Sequence, residues 1–153
     1  MINADILIHT FIKIAALAGV SLSADEITAE VLQAPHKPPK NLPNGKMGVY
    51  VFSIGEKCLK VGKVGPKSKA RYTSQHYNPK SSNSNLSKSI LKAKTDFGVT
   101  HLDENNIGDW IKENTDRVNF LIDESLGIPI LSLLESYLQC RLKPKFEGFE
   151  SQK

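Results

Sequence analysis

Four side chains with complementary chemistry are spaced so that a fold could bring them to one site: Tyr50, Lys60, Arg71 and Glu135. Tyr50 and Lys60 lie in two short stretches of β-type residues separated by a glycine turn. This pattern predicts a hairpin with both side chains on one face. Arg71 follows on a predicted helix, and Glu135 lies far downstream among leucines at helical spacing. We interpret the rest of the chain as the scaffold that brings Glu135 to the hairpin.

These groups suit the hydrolysis of a phosphodiester. The guanidinium of Arg71 is a planar fork that can bind phosphate oxygens. The Glu135 carboxylate is a hard oxygen ligand for Mg²⁺, which takes few protein ligands and keeps several waters. Tyr50 and Lys60 are both protonated in neutral water, so either needs nearby cations or a metal before it can act as a base. The residues therefore predict one-metal hydrolysis by an in-line water, with Arg71 offsetting charge on the phosphate.

Each residue also has an ordinary structural interpretation. A strand tyrosine is commonly a core aromatic, a strand lysine is commonly solvated, and a helix arginine is commonly a surface charge. Glu135 is more informative, because its apolar neighbours place it at or near the buried face of its helix. An unpaired buried carboxylate is costly, so this position favours a ligand or ion-pair role.

The same residues resemble the signatures of the GIY-YIG nuclease family. The first signature is similar to Gly48-Val49-Tyr50 and the second to Lys60-Val61-Gly62. The second has Lys where most members have Tyr, as in a subgroup of GIY-YIG restriction endonucleases. Lys60 follows Tyr50 by ten positions and Arg71 follows Lys60 by eleven, both typical of the family. The segment LLESYLQCRLKPKFEG resembles the helix that carries the family's metal-binding glutamate, so the resemblance covers residues 47–148.

The resemblance implies a metal-dependent endonuclease that hydrolyses DNA phosphodiester bonds in a restriction, repair or mobile-element context. It implies that Glu135 holds Mg²⁺ or Mn²⁺. It also implies that Tyr50 is the general base, with Lys60 assisting the loss or transfer of its proton.

Two family positions differ in this chain. The family often carries Tyr or His one helical turn after the arginine, where this chain has Gln75. His76, Tyr72 and Tyr77 are the neighbours that could fill this place, and we assign His76 as a proton carrier. Many members also place an Asn shortly after the proline that ends the glutamate helix, where this chain has residues 146–148.

Basic residues concentrate in the central part of the chain, between residues 57 and 94, whereas the net charge of the whole chain is +4. This region predicts a DNA-facing surface that contacts phosphates. We assign DNA or phosphate binding to Lys63, Lys67, Lys69 and Gln75. The polar loop at residues 78–85 is a candidate flexible contact loop.

The patterns predict an α+β domain with a small three-stranded antiparallel sheet flanked by helices, which the GIY-YIG resemblance also implies. Strands are expected at residues 48–54, 58–64 and 117–123, and helices at residues 69–77, 86–94, 107–114 and from Gly127 to Pro144. A helical extension with a proline-rich linker is expected at residues 1–44, ahead of the nuclease-like domain at residues 45–150.

The extension is predicted to hold two helices. Apolar residues at helical spacing predict the first over residues 5–18. Ser23 and Glu26 form a capping-box pattern that predicts the second. A helix-turn-helix DNA reader is the alternative, but the acidic residues 24–33 would meet phosphates with the wrong sign. We therefore expect the two helices to cover the sheet.

Composition indicates an ordinary globular protein of 153 residues, with 40% hydrophobic and 24% charged residues. Cys58 and Cys140 lack CxxC spacing and no secretory leader precedes them, which favours free thiols in the cytoplasm. The apolar N-terminal stretch is too short to span a bilayer, so no membrane association is expected. His9, His36 and His101 lack metal-ligand spacing and are expected at the surface.

Two alternatives to the nuclease interpretation stay open. The chain could be a DNA-binding module on the same fold with weak or no catalysis, since Lys60, Gln75 and Glu147 depart from the family pattern. Residues 1–44 could also dock a protein partner, mediate self-association, or make the chain the nuclease subunit of a larger complex.

Overall fold

The chain folds into an α+β arrangement in a computed structural model that describes residues 1–146. Its helices are α1 (Ala4–Leu17), α2 (Lys69–Thr73), α3 (Leu86–Lys92), α4 (Ile107–Asn114) and α5 (Ile128–Leu142). Its strands are β1 (Ile27–Leu32), β2 (Lys46–Ile54), β3 (Lys57–Val64) and β4 (Asp116–Asp123). Short 3₁₀ turns, Gln75–Tyr77 and Glu124–Leu126, follow α2 and β4. The predicted hairpin, the strand at residues 117–123 and the last helix are therefore confirmed.

The strands form one antiparallel sheet in the order β1–β4–β2–β3, so β1 and β3 are its edges. Tyr50 in β2 is paired with Gly62 in β3 and with Asn119 in β4. Asn119 is in turn paired with Glu30 in β1. Directly paired residues of a sheet point to the same face. One face of the sheet therefore carries Tyr50, Asn119 and Glu30 in a row from edge to edge.

The sheet has four strands rather than the three expected, and the predicted second N-terminal helix is wrong. Residues 27–32 form β1, which pairs along its length with β4. The capping-box residues close a turn instead. The Glu26 carboxylate accepts hydrogen bonds from the Ser23 N–H at 2.9 Å and from the Ser23 hydroxyl at 3.0 Å. Ile27 and Val31 are β-branched, and they favour a strand once β4 offers a partner. Because the second N-terminal helix does not form, the helix-turn-helix alternative is also wrong.

Helices cover both faces of the sheet. α1 and α5 pack on the face that carries Val49, Val51 and Phe120. α2, α3 and α4 pack on the face that carries Tyr50 and Phe52. The helix with Glu135 and the helix with Arg71 therefore lie on opposite faces, and their side chains can approach each other only around an edge of the sheet.

The N-terminal helix is packed, as expected. Phe11 and Ala15 of α1 are fully buried in the core that α1 shares with α5. β1 belongs to the same sheet as the strands that follow residue 45, while the domain boundary at residues 44–45 stays a prediction.

Among the described residues, none of the helices is long and apolar enough to cross a bilayer. The cytoplasmic location also stays a prediction.

The helix predicted over residues 69–77 is broken after Thr73. The Arg117 guanidinium donates a hydrogen bond of 2.6 Å to the Tyr72 carbonyl. In a continuous α-helix this carbonyl would accept from the N–H four residues later. The competing bond from β4 thus accounts for the switch to the 3₁₀ turn at Gln75–Tyr77.

Two features occupy the outer edge of β3. The N–H groups of Lys145 and Phe146 donate to the carbonyls of Cys58 and Leu59, at 3.1 and 2.8 Å. α5 ends at Leu142, and Lys143 adopts a left-handed conformation with φ 48° that turns the chain back to this edge. The other end of the β3 edge faces α5, where the functional candidates meet. The expectation for Glu147 and Gly148 lies outside the described residues.

Candidate active site

A cavity of about 430 Å³ opens at the β3 edge of the sheet. Its walls come from β2, β3, α2, the loop before α3, and α5. The lining residues are Tyr50, Lys60, Val61, Gly62, Lys63, Arg71, Ser84, Glu135, Ser136 and Gln139. Tyr50, Lys60, Arg71 and Glu135, which the sequence analysis assigned to catalysis, therefore line one cavity.

Tyr50 reaches the cavity because Gly62 has no side chain. The two residues are paired across β2 and β3. A Cβ atom built on Gly62 would overlap the Tyr50 hydroxyl. The phenol ring therefore lies over the backbone of β3 at Gly62, and its hydroxyl extends toward the edge of the sheet. This contact gives a physical reason for a glycine in the second signature.

Lys60 lies on the same face of the hairpin, directly opposite Phe52 and diagonal to Tyr50. Its relative exposure is only 8%, so it is not a solvated strand lysine. The Lys60 charge, one of those that lower the pKa of the neighbouring His76, therefore acts with little screening by water. The expectation that Tyr50 and Lys60 lie on one face of the hairpin is confirmed.

Arg71 enters the cavity from α2, on the same side of the sheet as Tyr50. Its backbone is held by its neighbour Tyr72, which is 1% exposed. The Tyr72 hydroxyl donates to the Glu30 carboxylate at 2.7 Å. Arg71 itself is exposed, so its guanidinium is accessible to a ligand that enters the cavity.

Glu135 reaches the same cavity from the opposite face of the sheet. Its Oε1 accepts the backbone N–H of Lys63 at 3.2 Å. Its Oε2 lies 3.0 Å from the Lys63 ammonium, and the Glu135 side chain is 18% exposed. The N–H of an edge strand thus fixes the carboxylate at the rim, where it is partly desolvated and paired, as the sequence predicted.

The residues fit a divalent cation that uses one protein ligand. Among residues 1–146, three or more His, Cys, Asp or Glu side chains are nowhere grouped as a metal site. Glu135 is thus a lone carboxylate, which suits Mg²⁺ with most of its waters retained. The Lys63 ammonium, which also donates to Ser132 Oγ at 3.4 Å, would compete with a metal for the Glu135 carboxylate. The role of Mg²⁺ or Mn²⁺ itself stays a prediction.

His76 lies behind Tyr50 and is not part of the cavity wall. Its ring centroid is 4.4 Å from that of Tyr50, and the residue is 2% exposed. Its Nδ1 accepts the Leu86 N–H at 3.2 Å, so the ring proton is on Nε2. Burial, followed by the charges of Arg117, Lys60 and Arg71, holds the pKa of His76 well below its usual range. His76 is therefore a neutral packing partner of Tyr50, and its role as a proton carrier stays a prediction.

The assigned phosphate-binding residues divide into two groups. Lys63 lines the cavity. Lys67, just before α2, and Lys69, the first residue of α2, are exposed and do not line the cavity. Gln75 is half-buried in the 3₁₀ turn and does not line the cavity either. These three could contact only parts of a ligand that extend beyond the cavity.

Sequence reasoning missed three polar residues of the wall. Ser136 and Gln139 follow Glu135 by one and four positions, so helical spacing could have found Gln139. Ser84 is brought in by the loop at residues 78–85. Asn85, which is fully buried, braces this loop by donating to the carbonyls of Asn78 and Ser82, both at 3.2 Å.

Sequence reasoning also missed a buried polar network beneath Tyr50. Arg117 and Asn119 of β4 are both 0% exposed. Asn119 accepts from Arg117 Nε at 2.8 Å and donates to the Glu30 carboxylate at 2.8 Å. Alternation with the apolar residues of β4 would have placed Arg117 and Asn119 on one face. Their link to Glu30 depends on the register with β1, which no local pattern reveals.

No family model, no curated protein and no solved structure matches this chain. The GIY-YIG resemblance therefore stays a prediction. The geometry of the cavity carries the functional argument.

Proposed function

We propose that this protein is a metal-dependent endonuclease that hydrolyses DNA phosphodiester bonds. The observation that supports the proposal is the meeting of Tyr50, Lys60, Arg71 and Glu135 around one polar cavity. These residues come from both faces of a sheet, and Glu135 is separated from Tyr50 by most of the domain. A hydroxyl, two cations and a carboxylate within one cavity match the needs of phosphodiester hydrolysis, and they also match the order of the GIY-YIG signatures.

Each side chain has a role in this proposal. Arg71, the accessible cation, binds the non-bridging oxygens of the scissile phosphate. Tyr50, held over Gly62, takes a proton from the attacking water, and the buried Lys60 favours loss of the phenolic proton. Glu135 holds Mg²⁺ or Mn²⁺, which when bound supplies stabilisation of the charge that develops on the leaving oxygen. Lys63, Lys67, Lys69 and Gln75 contact neighbouring phosphates and position the strand.

A nicking assay on supercoiled plasmid tests the proposal. Purified protein with Mg²⁺ or Mn²⁺ is expected to convert the plasmid to open-circle or linear DNA, and EDTA is expected to stop the reaction. Glu135→Gln is expected to lower the rate by at least about 100-fold, as for loss of a transition-state interaction. Glu113→Gln, the same change at an exposed position of α4, is the matched control. No cleavage by the wild-type protein on any DNA form would remove the proposal.

One observation favours a second candidate, a DNA-binding module with weak or no catalysis. The Lys63 ammonium already neutralises the Glu135 carboxylate at 3.0 Å, so the site is stable without a metal. This candidate predicts DNA retention in a gel-shift assay without cleavage. It also predicts that Glu135→Gln strengthens DNA binding, because the change removes a negative charge from the surface.

A protein partner or self-association through residues 1–44 stays part of the proposal. Ile6, Leu17 and Val31 of this segment are large apolar residues with relative exposures of 57%, 90% and 44%. A pull-down with the full chain, compared with polar substitutions at these three positions, tests it.

A further inference from the structure

A fully buried arginine lies beneath the cavity. Arg117, in β4, has 0% relative exposure and is on the face of the sheet that carries Tyr50 and Phe52. It does not line the cavity, so it does not touch a ligand bound there. Burial of a charged side chain is costly unless the surroundings compensate it, which raises the question of what Arg117 does.

The guanidinium is fixed by hydrogen bonds to three different elements. Nε donates to Asn119 Oδ1 at 2.8 Å, one η nitrogen to the Tyr77 hydroxyl at 3.2 Å, and the other to the Tyr72 carbonyl at 2.6 Å. Two of these partners, Tyr72 and Tyr77, directly follow Arg71 and His76 in the chain. Arg117 thus holds both α2 and the following 3₁₀ turn against the sheet.

Aromatic rings surround the same cation. The Arg117 Cζ lies 5.1 Å from the Phe52 ring centroid, 5.2 Å from that of Tyr72 and 5.8 Å from that of Tyr50. Rings at such distances attract a cation through their negative faces. The Tyr50 ring thus has both Arg117 and His76 as neighbours.

The charge of Arg117 is not neutralised by direct contact. Among the ion pairs of the described residues, none includes Arg117. The carboxylate of its network, Glu30, does not touch Arg117. It is reached through the Asn119 amide and through Tyr72, whose carbonyl accepts from Arg117 and whose hydroxyl donates to Glu30. In a poorly polarisable interior, such a charge acts on its neighbours with little screening. After burial itself, Arg117 is the next cause that lowers the pKa of His76.

We propose that Arg117 is a positioning residue of the cavity, whose buried charge orients the Tyr50 ring and favours the deprotonated hydroxyl. The inference rests on the proposed function, in which Tyr50 takes a proton. Other charged or titratable groups around Tyr50 come from every neighbouring element: Lys60 and Lys63 on β3, Arg71 and Tyr72 on α2, His76 and Tyr77 on the 3₁₀ turn, Glu30 on β1 and Glu135 on α5. Arg117 is the fully buried cation of this set.

A charge transposition separates this role from simple packing. In the double variant Glu30→Gln, Asn119→Asp, a carboxylate replaces the amide that contacts Arg117 Nε, and an amide replaces the carboxylate beyond it. Net charge and side-chain volumes are unchanged, and the hydrogen bonds among the three residues can be re-formed with donor and acceptor exchanged between positions 30 and 119. The negative charge, however, moves into direct contact with Arg117.

The first readout does not depend on catalysis. The alkaline titration of Tyr50 is followed by NMR of ring-labelled tyrosine, with Tyr50→Phe to assign the signal. We expect the double variant to raise the Tyr50 titration midpoint by about one pH unit, the size of effect of one close charge. Glu30→Gln alone removes the distal carboxylate and is expected to move the midpoint in the opposite direction. Equal midpoints in the wild type and both variants would overturn the inference.

The second readout is cleavage. The pH at which the plasmid-nicking rate is half-maximal is expected to rise by the same amount in the double variant, with KM for DNA unchanged. Arg117→Lys keeps the charge but loses the fork, so it is expected to keep the midpoint and lower the rate. This variant keeps the test decisive if the double variant fails to fold. A Tyr50 titration midpoint that shifts by about one pH unit in Arg117→Lys, although the charge is retained, contradicts the inference. If the wild type cleaves nothing, the proposed function fails, whereas the NMR titration still decides the role of Arg117.

Discussion

Lys63 holds the Glu135 carboxylate at two points. Its backbone N–H donates to Oε1 at 3.2 Å and its ammonium lies 3.0 Å from Oε2. The first contact is possible because β3 is an edge strand, whose outward N–H groups have no strand partner. The Glu135 carboxylate is thereby fixed at the rim of the cavity that Tyr50, Lys60 and Arg71 enter from the opposite face of the sheet. The ammonium would therefore compete with a divalent cation for the same carboxylate.

The first prediction concerns this competition. Lys63→Met is expected to increase the affinity for Mn²⁺ in the absence of DNA by up to about fivefold, because a half-exposed ion pair contributes about 1 kcal/mol or less. The measurement is a titration of free Mn²⁺ by electron paramagnetic resonance. Lys67→Met, at an exposed position outside the cavity, is the control. Unchanged Mn²⁺ affinity in Lys63→Met would show that the ammonium does not compete with the metal.

The second prediction concerns the close approach of Tyr50 to Gly62. Gly62→Ala places a methyl group where the Tyr50 hydroxyl lies, so the ring must move. We expect the nicking rate to fall about 100-fold, as for a displacement of about 1 Å in a catalytic group. Gly65→Ala is a matched control, because the nearest atom to its added methyl, Ser68 Oγ, is at an ordinary distance of 3.9 Å. Comparable losses in the two variants would contradict a specific effect on Tyr50.

The third prediction concerns Arg71. Arg71→Lys keeps the charge but removes the planar fork that binds two phosphate oxygens at once. We expect the rate of plasmid nicking to fall at least about tenfold, while the salt dependence of DNA binding stays the same because the charge is conserved. Arg141→Lys, at an exposed position near the end of α5, is the control. A rate unchanged by Arg71→Lys would place the phosphate elsewhere.

The fourth prediction concerns acid stability. Burial is the main cause that lowers the pKa of both His36 and His76 below their ordinary value of 6.5. As the pH falls below 6.5, the unfolded chain binds protons that the folded chain excludes, so the free energy of unfolding decreases. At one pH unit below that value, His76 alone is expected to account for about 1 kcal/mol. Thermal denaturation at pH 7.5 and 5.5 measures the change.

His76→Asn, which keeps an acceptor for the Leu86 N–H, is expected to remove part of this pH dependence. His101→Asn, at an exposed position, is expected to leave it unchanged. An equal loss of stability at pH 5.5 in the wild type and His76→Asn would place the titrating group elsewhere.

The elements that local patterns define were predictable. The alternation on each side of Gly55 predicted the hairpin, and the leucine stripe predicted α5 with Glu135 at or near its buried face. Together these placed Tyr50, Lys60 and Glu135, whereas Arg71 came from the helix predicted over residues 69–77, which is broken after Thr73. These elements were predictable because alternation and helical spacing are patterns of neighbouring residues, which do not depend on contacts with distant parts of the chain.

The remaining features depend on contacts between distant residues. The local pattern predicts a helix at β1, because Ser23 and Glu26 match a helix start. The strand forms because these residues pair with β4, which is distant in the sequence. His36 was expected at the surface but is only 7% exposed. Its Nδ1 donates to the Thr115 carbonyl at 2.8 Å, a partner 79 positions away that no local pattern reveals. The helix carrying Arg71 is cut short by a bond from Arg117, which lies 45 positions from Tyr72. Tertiary context overrides local preference at each of these places.

The order of the strands has a consequence for dissection of the molecule. β4 lies between β1 and β2, so an excised piece starting at residue 45 would retain every signature residue and yet lose the outer neighbour of β4. Asn119 would then have no acceptor for its amide, since Glu30 would be gone. The shortest fragment that preserves the surroundings of Arg117 must begin upstream of Ile27, well before the first signature glycine.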